Sequence, residues 1–193
     1  VFDGRGGEYV AEITSCARNS LVVSVGAHID CERESPLRVT LWHALCKATR
    51  MDSVVQKATE LGVVRIQPVQ TERSQIKLNA DRAQRKVRHW TDIAIGACEQ
   101  SGRNCVPEIA APASLNALLP AAANFSHVML LDPDGAKSLG AGLSLSGTAL
   151  LITGPEGGFS ARERAAAVAQ GVATVRLGPR VLRTETAPVA ALA

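Results

Sequence analysis

The sequence predicts an α/β protein whose mostly parallel sheet is covered by helices on both faces, and three observations predict it. From residue 37 onward, short aliphatic or β-branched runs alternate with helical periodicities, the pattern of a parallel sheet buried on both sides. Two of these runs, 149–153 and 173–177, pass directly into turns rich in Gly and Pro and then into helical patterns. Open α/β sheets hold their ligands at such carboxyl ends. Hydrophobic residues make up 46% of the 193 and aromatics only 3%, so the core must be built from Val, Leu, Ile and Ala.

The elements follow in order. Residues 1–36 read as β: a glycine turn at 4–7 separates Val1 and Phe2 from a strand over 8–13, and 21–25 is a third short run. Three short strands cannot bury a core of their own, so they are expected to be the last part of a larger β domain. Residues 32–36, Glu-Arg-Glu-Ser-Pro, read as a linker. The chain thus divides into 1–36 and 37–193. It opens without Met and ends inside a helical pattern begun near Ala187, so further residues are expected on both sides. Residues 37–45 are strand-like. Met51, Val54, Val55, Ala58 and Leu61 recur at helical spacing, with Gly62 as the stop. A strand follows over 63–69. Asn79 can cap a long helix reaching about residue 101, with Gly102 as its stop. Strands are expected at 106–109, 127–132, 149–153 and 173–177. Between the last two, Ser160 and Glu163 form a capping box for a helix ended by Gly171. Residues 110–124, rich in Ala and Pro, yield no clear element, and no internal repeat is present.

Charge and composition exclude several classes. The net charge of +3 and pI of about 8.7 permit nucleic-acid binding without requiring it. No apolar run is as long as a membrane span and no secretion leader opens the chain, so no membrane partner is expected. Five cysteines, no Cys-x-x-Cys and four scattered histidines suggest neither disulfides nor a metal site; reduced thiols in a cytoplasmic protein are expected. Neither Gly-x-Gly-x-x-Gly nor Gly-Lys-Ser/Thr follows the two loop-bearing strands, which removes the dinucleotide and P-loop fingerprints.

Gly154, Gly157, Gly158 and Gly178 leave main-chain groups bare for a ligand to approach. Either loop alone could be a tight turn with a helix cap. The second, however, also carries Arg180, Arg183, Thr184, Glu185 and Thr186, more hydrogen-bonding side chains than a connector needs. On the long helix, Ala83, Val87, Trp90, Ala94 and Ala97 form an apolar stripe, and Arg82, Arg85, Lys86 and His89 lie on the other side. Such a face is either solvated or a track for phosphates. Arg73 and Ser74 follow the strand at 63–69 and so fall on the ligand rim; with Lys77 they are the preferred RNA contacts, joined by Arg180 and by Arg103. The polar group of Glu99, Gln100, Arg103 and Asn104 has helix capping as its alternative reading.

Residues 150–160, Leu-Leu-Ile-Thr-Gly-Pro-Glu-Gly-Gly-Phe-Ser, and 177–187, Leu-Gly-Pro-Arg-Val-Leu-Arg-Thr-Glu-Thr-Ala, resemble the two signature segments of the RsmE-type 16S rRNA (uracil-N3)-methyltransferases, a family of the SPOUT superfamily. Residues 56–63 leading to 71–74, and residues 97–104, agree in the family's order, so the resemblance covers almost the whole chain. It implies a SPOUT-type knotted parallel sheet, whose trefoil knot involves the loop after 127–132 and the two signature loops, preceded by a partial PUA-like β-barrel. It implies S-adenosyl-L-methionine, lying against Thr153, Gly154, Glu156, Gly158, Leu177, Gly178, Leu182 and Thr184, and no metal. The implied substrate is a uridine of 16S rRNA in the small ribosomal subunit, and the implied assembly is a homodimer. Methyl transfer to uracil N3 requires loss of the N3 proton and donors for the charge that develops on the ring carbonyls. Arg183 is expected to supply the donor, with Thr184 beside it and Glu185 either accepting the proton or orienting Arg183. The alternative for Arg183 and Glu185 is a salt bridge at a helix start. Rival functions are a SPOUT enzyme acting on a ribose 2′-hydroxyl or a guanine, and a non-catalytic RNA-binding assembly factor.

Overall fold

The computed structural model describes residues 1–139 and 146–193. Its first part is a hairpin, β1 (Glu8–Ala17) paired antiparallel with β2 (Ser20–Ile29). The expected three short strands are corrected to two strands of ten residues. Residues 14–17 and 26–29 lack an alternating pattern, but main-chain pairing across the turn carries them along. Val1 and Phe2 form no strand; Val1 exchanges main-chain hydrogen bonds with Tyr9. Val10, Ile13, Leu21, Val22 and Val25 remain more than half exposed on this hairpin.

The remainder is one sheet wrapped by helices. In chain order its elements are β3 (Arg38–Ala44), α1 (Ala48–Glu60), β4 (Arg65–Gln70), α2 (Ala80–Ser101), β5 (Glu108–Ile109), β6 (Ala113–Ser114), α3 (Leu115–Leu118), a 3-10 turn (Leu119–Asn124), β7 (His127–Leu131), β8 (Lys137–Ser138), β9 (Thr148–Thr153), α4 (Ala161–Ala169), β10 (Ala173–Arg176) and α5 (Thr186–Leu192). The strands lie in the order β5-β4-β3-β9-β7-β10-β8, with β6 beside β4. Every pairing in this sheet is parallel.

Alternation along the central strands builds two cores. Leu41 of β3 and Leu151 of β9 face Met51, Val54 and Val55 of α1 and Trp90 and Ala94 of α2, with Ala187 and Ala191 of α5 packed alongside. Trp42, Leu150 and Ile152 face the opposite way, toward Leu115, Leu119, Phe159 and Ala167. Helices therefore cover both faces, as predicted. The cap residues also act as expected. Asn79 Oδ1 accepts from Arg82 N at 2.9 Å, and Gly102 ends α2 at φ 74°, a left-handed conformation that glycine adopts freely. Ser160 and Glu163 form both halves of the capping box on α4.

Residues 110–124 are more ordered than their composition suggested. Ser114 caps α3, and Leu115, Leu119 and Ala122 close the second core. The central position of β9, between β3 and β7, determines where the site forms. It brings the loops after β7, β9 and β10 together at the carboxyl edge. Part of the first of these, invoked for the knot, falls at 140–145, outside the described residues.

Candidate active site

The three loops enclose a cavity of about 600 Å³, within the size range of small-molecule sites. Thr153, Gly154, Glu156 and Gly158 line it from the loop after β9, and Leu177, Arg180, Leu182, Arg183 and Thr184 from the loop after β10. Asp132 and Asp134 line it from the loop after β7, and Arg73 from the turn after β4.

Each loop is held by its neighbours. Thr184 Oγ1 donates to Gly154 O at 2.8 Å and ties the second signature loop to the first. Beneath the cavity, Thr153 Oγ1 lies 2.6 Å from Nδ1 of the fully buried His43. Burial lowers the His43 pKa to about 4, against an opposing pull from Glu156, so the imidazole is neutral at pH 7. Burial, then Glu156 and Glu185, push the neighbouring Cys46 thiol up to about 12, which removes it as a nucleophile. The loop after β7 turns at Gly135, where an added Cβ would meet the Val175 carbonyl carbon at 2.5 Å. Asp132 in that loop pairs with Arg164 at 3.3 Å.

The glycines have different roles. A Cβ on Gly154 would meet the Phe159 ring at 3.1 Å, so Gly154 permits the loop to fold back on its own phenylalanine. Gly158 and Gly178 have φ values of +64° and +69°, and nothing stands within 4 Å of where their Cβ atoms would be. The main chain at Gly158 is thus exposed to the cavity, and Gly178 leaves similarly open space in the second loop.

Arg50, in the first turns of α1, is the principal residue that sequence reasoning missed. Its guanidinium donates to Glu156 Oε1 at 2.7 Å and lies 3.6 Å from Glu185 Oε2. One cation thus bridges both signature loops to α1. Glu185, expected beside Arg183, faces Arg50 instead, and Thr184 next to it lines the cavity. Glu185 Oε2 is buried and has no hydrogen-bond partner among the described residues. Arg180 and Arg183 are both exposed at the rim, and among the described residues neither guanidinium has an acidic partner.

The expected RNA contacts divide. Arg73 reaches the site: its Nη1 donates to Gly157 O at 2.8 Å, and Glu72 N beside it donates to Glu163 at 2.8 Å. Lys77 is exposed beyond that turn. Ser74 does not present its hydroxyl; it is 8% exposed and closes the turn on Thr71 at 2.8 Å. Arg103 is also corrected. It is 5% exposed, pairs with Glu34 and donates to Thr59 O and Val63 O, because a buried guanidinium must use its donors internally.

The sheet and the loops that line the cavity at its carboxyl edge fall within residues 33–193, which match the family described as an RNA methyltransferase domain. The ribosomal RNA small subunit methyltransferase E of Bacillus subtilis is 33% identical over 97% of the chain, which spans 76% of that protein. A Legionella pneumophila methyltransferase, solved with its cofactor SAM bound, superposes with a TM-score of 0.94 at 39% identity, covering 99% of the chain and 78% of its own. The Neisseria gonorrhoeae ribosomal RNA small subunit methyltransferase E, bound to S-adenosyl methionine, gives 0.89 at 36% identity, with 99% and 78% covered. The chain belongs to the ribosomal RNA small subunit methyltransferase E family of RNA methyltransferases.

Proposed function

We propose that the chain is an S-adenosyl-L-methionine-dependent methyltransferase acting on N3 of a uridine in 16S rRNA of the small ribosomal subunit. The observation that carries this reading is the Thr184–Gly154 tie, which joins two glycine loops into one cavity, with Arg180 and Arg183 on its rim lacking an acidic partner among the described residues. The residues fit the methyl donor. The space beside Gly158 and Gly178 accepts an adenosine against the main chain, with Thr153, Gly154, Glu156, Leu177, Leu182 and Thr184 around it. When bound, S-adenosylmethionine supplies an electrophilic methyl on its sulfonium.

The protein's own residues do the rest. Arg180 and Arg73 hold flanking phosphates at the rim. Arg183 donates to a uracil carbonyl, where charge gathers as the N3 proton leaves; a fixed donor in that position stabilises the charge without reorganising. Of the lining carboxylates, Asp132 is paired with Arg164 and Glu156 with Arg50. Asp134 has no ion-pair partner among the described residues, and we assign it the departing proton in place of Glu185. The same reading takes 1–36 as the end of a PUA-like β domain plus linker and 37–193 as a knotted SPOUT domain, working as a homodimer in the cytoplasm. The half-exposed apolar hairpin supports the first of these. Among the described residues no helix is long and apolar enough to cross a membrane.

Titration calorimetry tests the site: S-adenosylmethionine should bind, and NAD and ATP should not. Gly158→Val should abolish binding, since a branched side chain both fills the open space and is strained at positive φ. Methylation of 16S rRNA from a deletion strain tests the substrate. One added methyl on a uracil base supports the reading. A methyl on a ribose or guanine, or cofactor binding without transfer, would favour its rivals.

A further inference from the structure

Outside the cavity, the strongest charge imbalance lies on α2. Lys77, Arg82, Arg85, Lys86 and Arg88 have no acidic partner among the described residues. Arg82, Arg85, Lys86 and His89, with Leu78, line a second concavity of about 270 Å³. No acid lines it. Asp52 reaches His89 at 3.1 Å from the side, and its other oxygen accepts from Trp90 Nε1 at 3.1 Å. Lys86 Nζ lies 5.9 Å from the Trp90 ring centroid. Residues three and four apart on a helix are neighbours, so Arg82 stands beside both Arg85 and Lys86, and like-charge pairs of this kind destabilise a helix. Asp81 and Asp92 lie on the same helix, but among the described residues neither forms an ion pair with these side chains. An external anion would relieve the crowding.

We propose that this groove is a second RNA contact, holding backbone phosphates of the segment that flanks the target nucleotide. The proposal rests on the function above and adds where the substrate runs. The turn after β4 supplies the connection. Arg73 lines the cavity, Lys77 is exposed on the same connecting segment, and α2 begins at Ala80, so basic residues follow one another along the chain from the cavity's rim to the groove. Phosphates fit better than an acidic protein surface. Among the described residues the groove's lining is Leu78 with Arg82, Arg85, Lys86 and His89, so side-chain donors surround it, whereas protein interfaces depend on buried apolar anchors. Contacts of this kind position RNA without reading its sequence.

The test neutralises the groove with R82Q/R85Q/K86Q in the full chain and measures binding to a naked 16S rRNA transcript across a salt series. Affinity should fall on the order of a hundredfold at 0.1 M salt, and the log–log salt slope should become shallower by about 2, at about 0.7 per phosphate on single strands. S-adenosylmethionine affinity should not change, and Tm should equal or exceed that of the wild type. Arg85→Gln alone should flatten the slope by about 0.7. A control with the same charge loss elsewhere, K57Q/R65Q/R162Q, should leave RNA affinity within about threefold. Equal losses in both triples, or unchanged transcript binding, would overturn the proposal. Loss confined to assembled subunits would also overturn it and make the partner a ribosomal protein. Failure of the wild type to bind S-adenosylmethionine would instead refute the reading of the cavity.

Discussion

Arg50 is the residue on which the cavity's geometry depends most directly. Its side chain is 32% exposed and its two partners 22%, so the pairs fall between surface bridges of 0–1 kcal/mol and buried ones that lose 3–5 kcal/mol when broken. Arg50→Met should cost about 1–2 kcal/mol of cofactor affinity, because Glu156 and Glu185 would then repel one another. Arg50→Lys, lacking the fork that reaches both acids, should recover only part of it. Calorimetry on the two variants checks this, and unchanged affinity in both would mean that the loops hold themselves. His43 makes a second prediction. Its folded pKa, about 4, lies below the unfolded value of 6.5, so on acidification the unfolded state takes up the proton first. The stability His43 contributes is full above pH 6.5 and declines toward pH 4; at pH 5 about 2 kcal/mol is lost. Urea melts at pH 7 and pH 5 should show this slope reduced in His43→Gln. Of the residues in these arguments, Thr184 and Gly154 were legible in the sequence because their loops are locally dense in Gly and hydroxyl groups. Arg50 was not: its partners lie more than a hundred positions away, and only the fold brings them together.

At the level of elements, legibility followed local chemistry. α2 was readable at both ends because Asn79 and Gly102 are strong punctuation, and α4 because its capping box is a four-residue signal. β5, two residues long, falls inside the run expected at 106–109, whereas β6, equally short, exists through its pairing with β4, so no pattern of its own announces it. The same is true of β8, which is held by β10. The capping box also does more than start a helix. Glu163 is 2% exposed; one oxygen accepts from Ser160 N at 2.9 Å and the other from Glu72 N at 2.8 Å. It thereby joins the first signature loop to the turn that carries Arg73. Ser160→Ala should cost about 1 kcal/mol, the ordinary loss of an N-cap. Glu163→Ala should cost more, about 2–3 kcal/mol, since two donors lose their acceptor, and it should also weaken RNA binding by releasing Arg73. Equal Tm losses in the two variants would show that the link to Glu72 contributes nothing.

In the whole molecule, the hairpin and the sheet are joined at one polar node. Arg103 donates from Nε to Glu34 at 2.8 Å and from Nη1 to Thr59 O at 2.6 Å and Val63 O at 3.1 Å. Asn104 holds Cys31 O, and Gly6 and Val106 exchange main-chain bonds with Asn104 and Gly4 across the same contact. The residue first read as an RNA contact is thus a bolt between the linker and the end of α1. Sequence could not distinguish these roles, because arginine serves both and only burial separates them. The bolt has a functional consequence under the proposed reading: substrate held by the hairpin side reaches the cavity only if the two parts keep a fixed orientation. Arg103→Met removes one partner of a buried pair and leaves Glu34 and two carbonyls unanswered, a loss of about 3–5 kcal/mol. The variant should therefore melt earlier and become open to proteolysis across 30–36. Double substitution with Glu34→Leu should restore part of the stability, because no uncompensated carboxylate remains, but it should not restore orientation. The expected signature is a raised KM for RNA, with cofactor affinity near wild type, in the stability-rescued double variant. A normal KM there would show that the main-chain bonds at Gly6 and Val106 hold the two parts in register without Arg103.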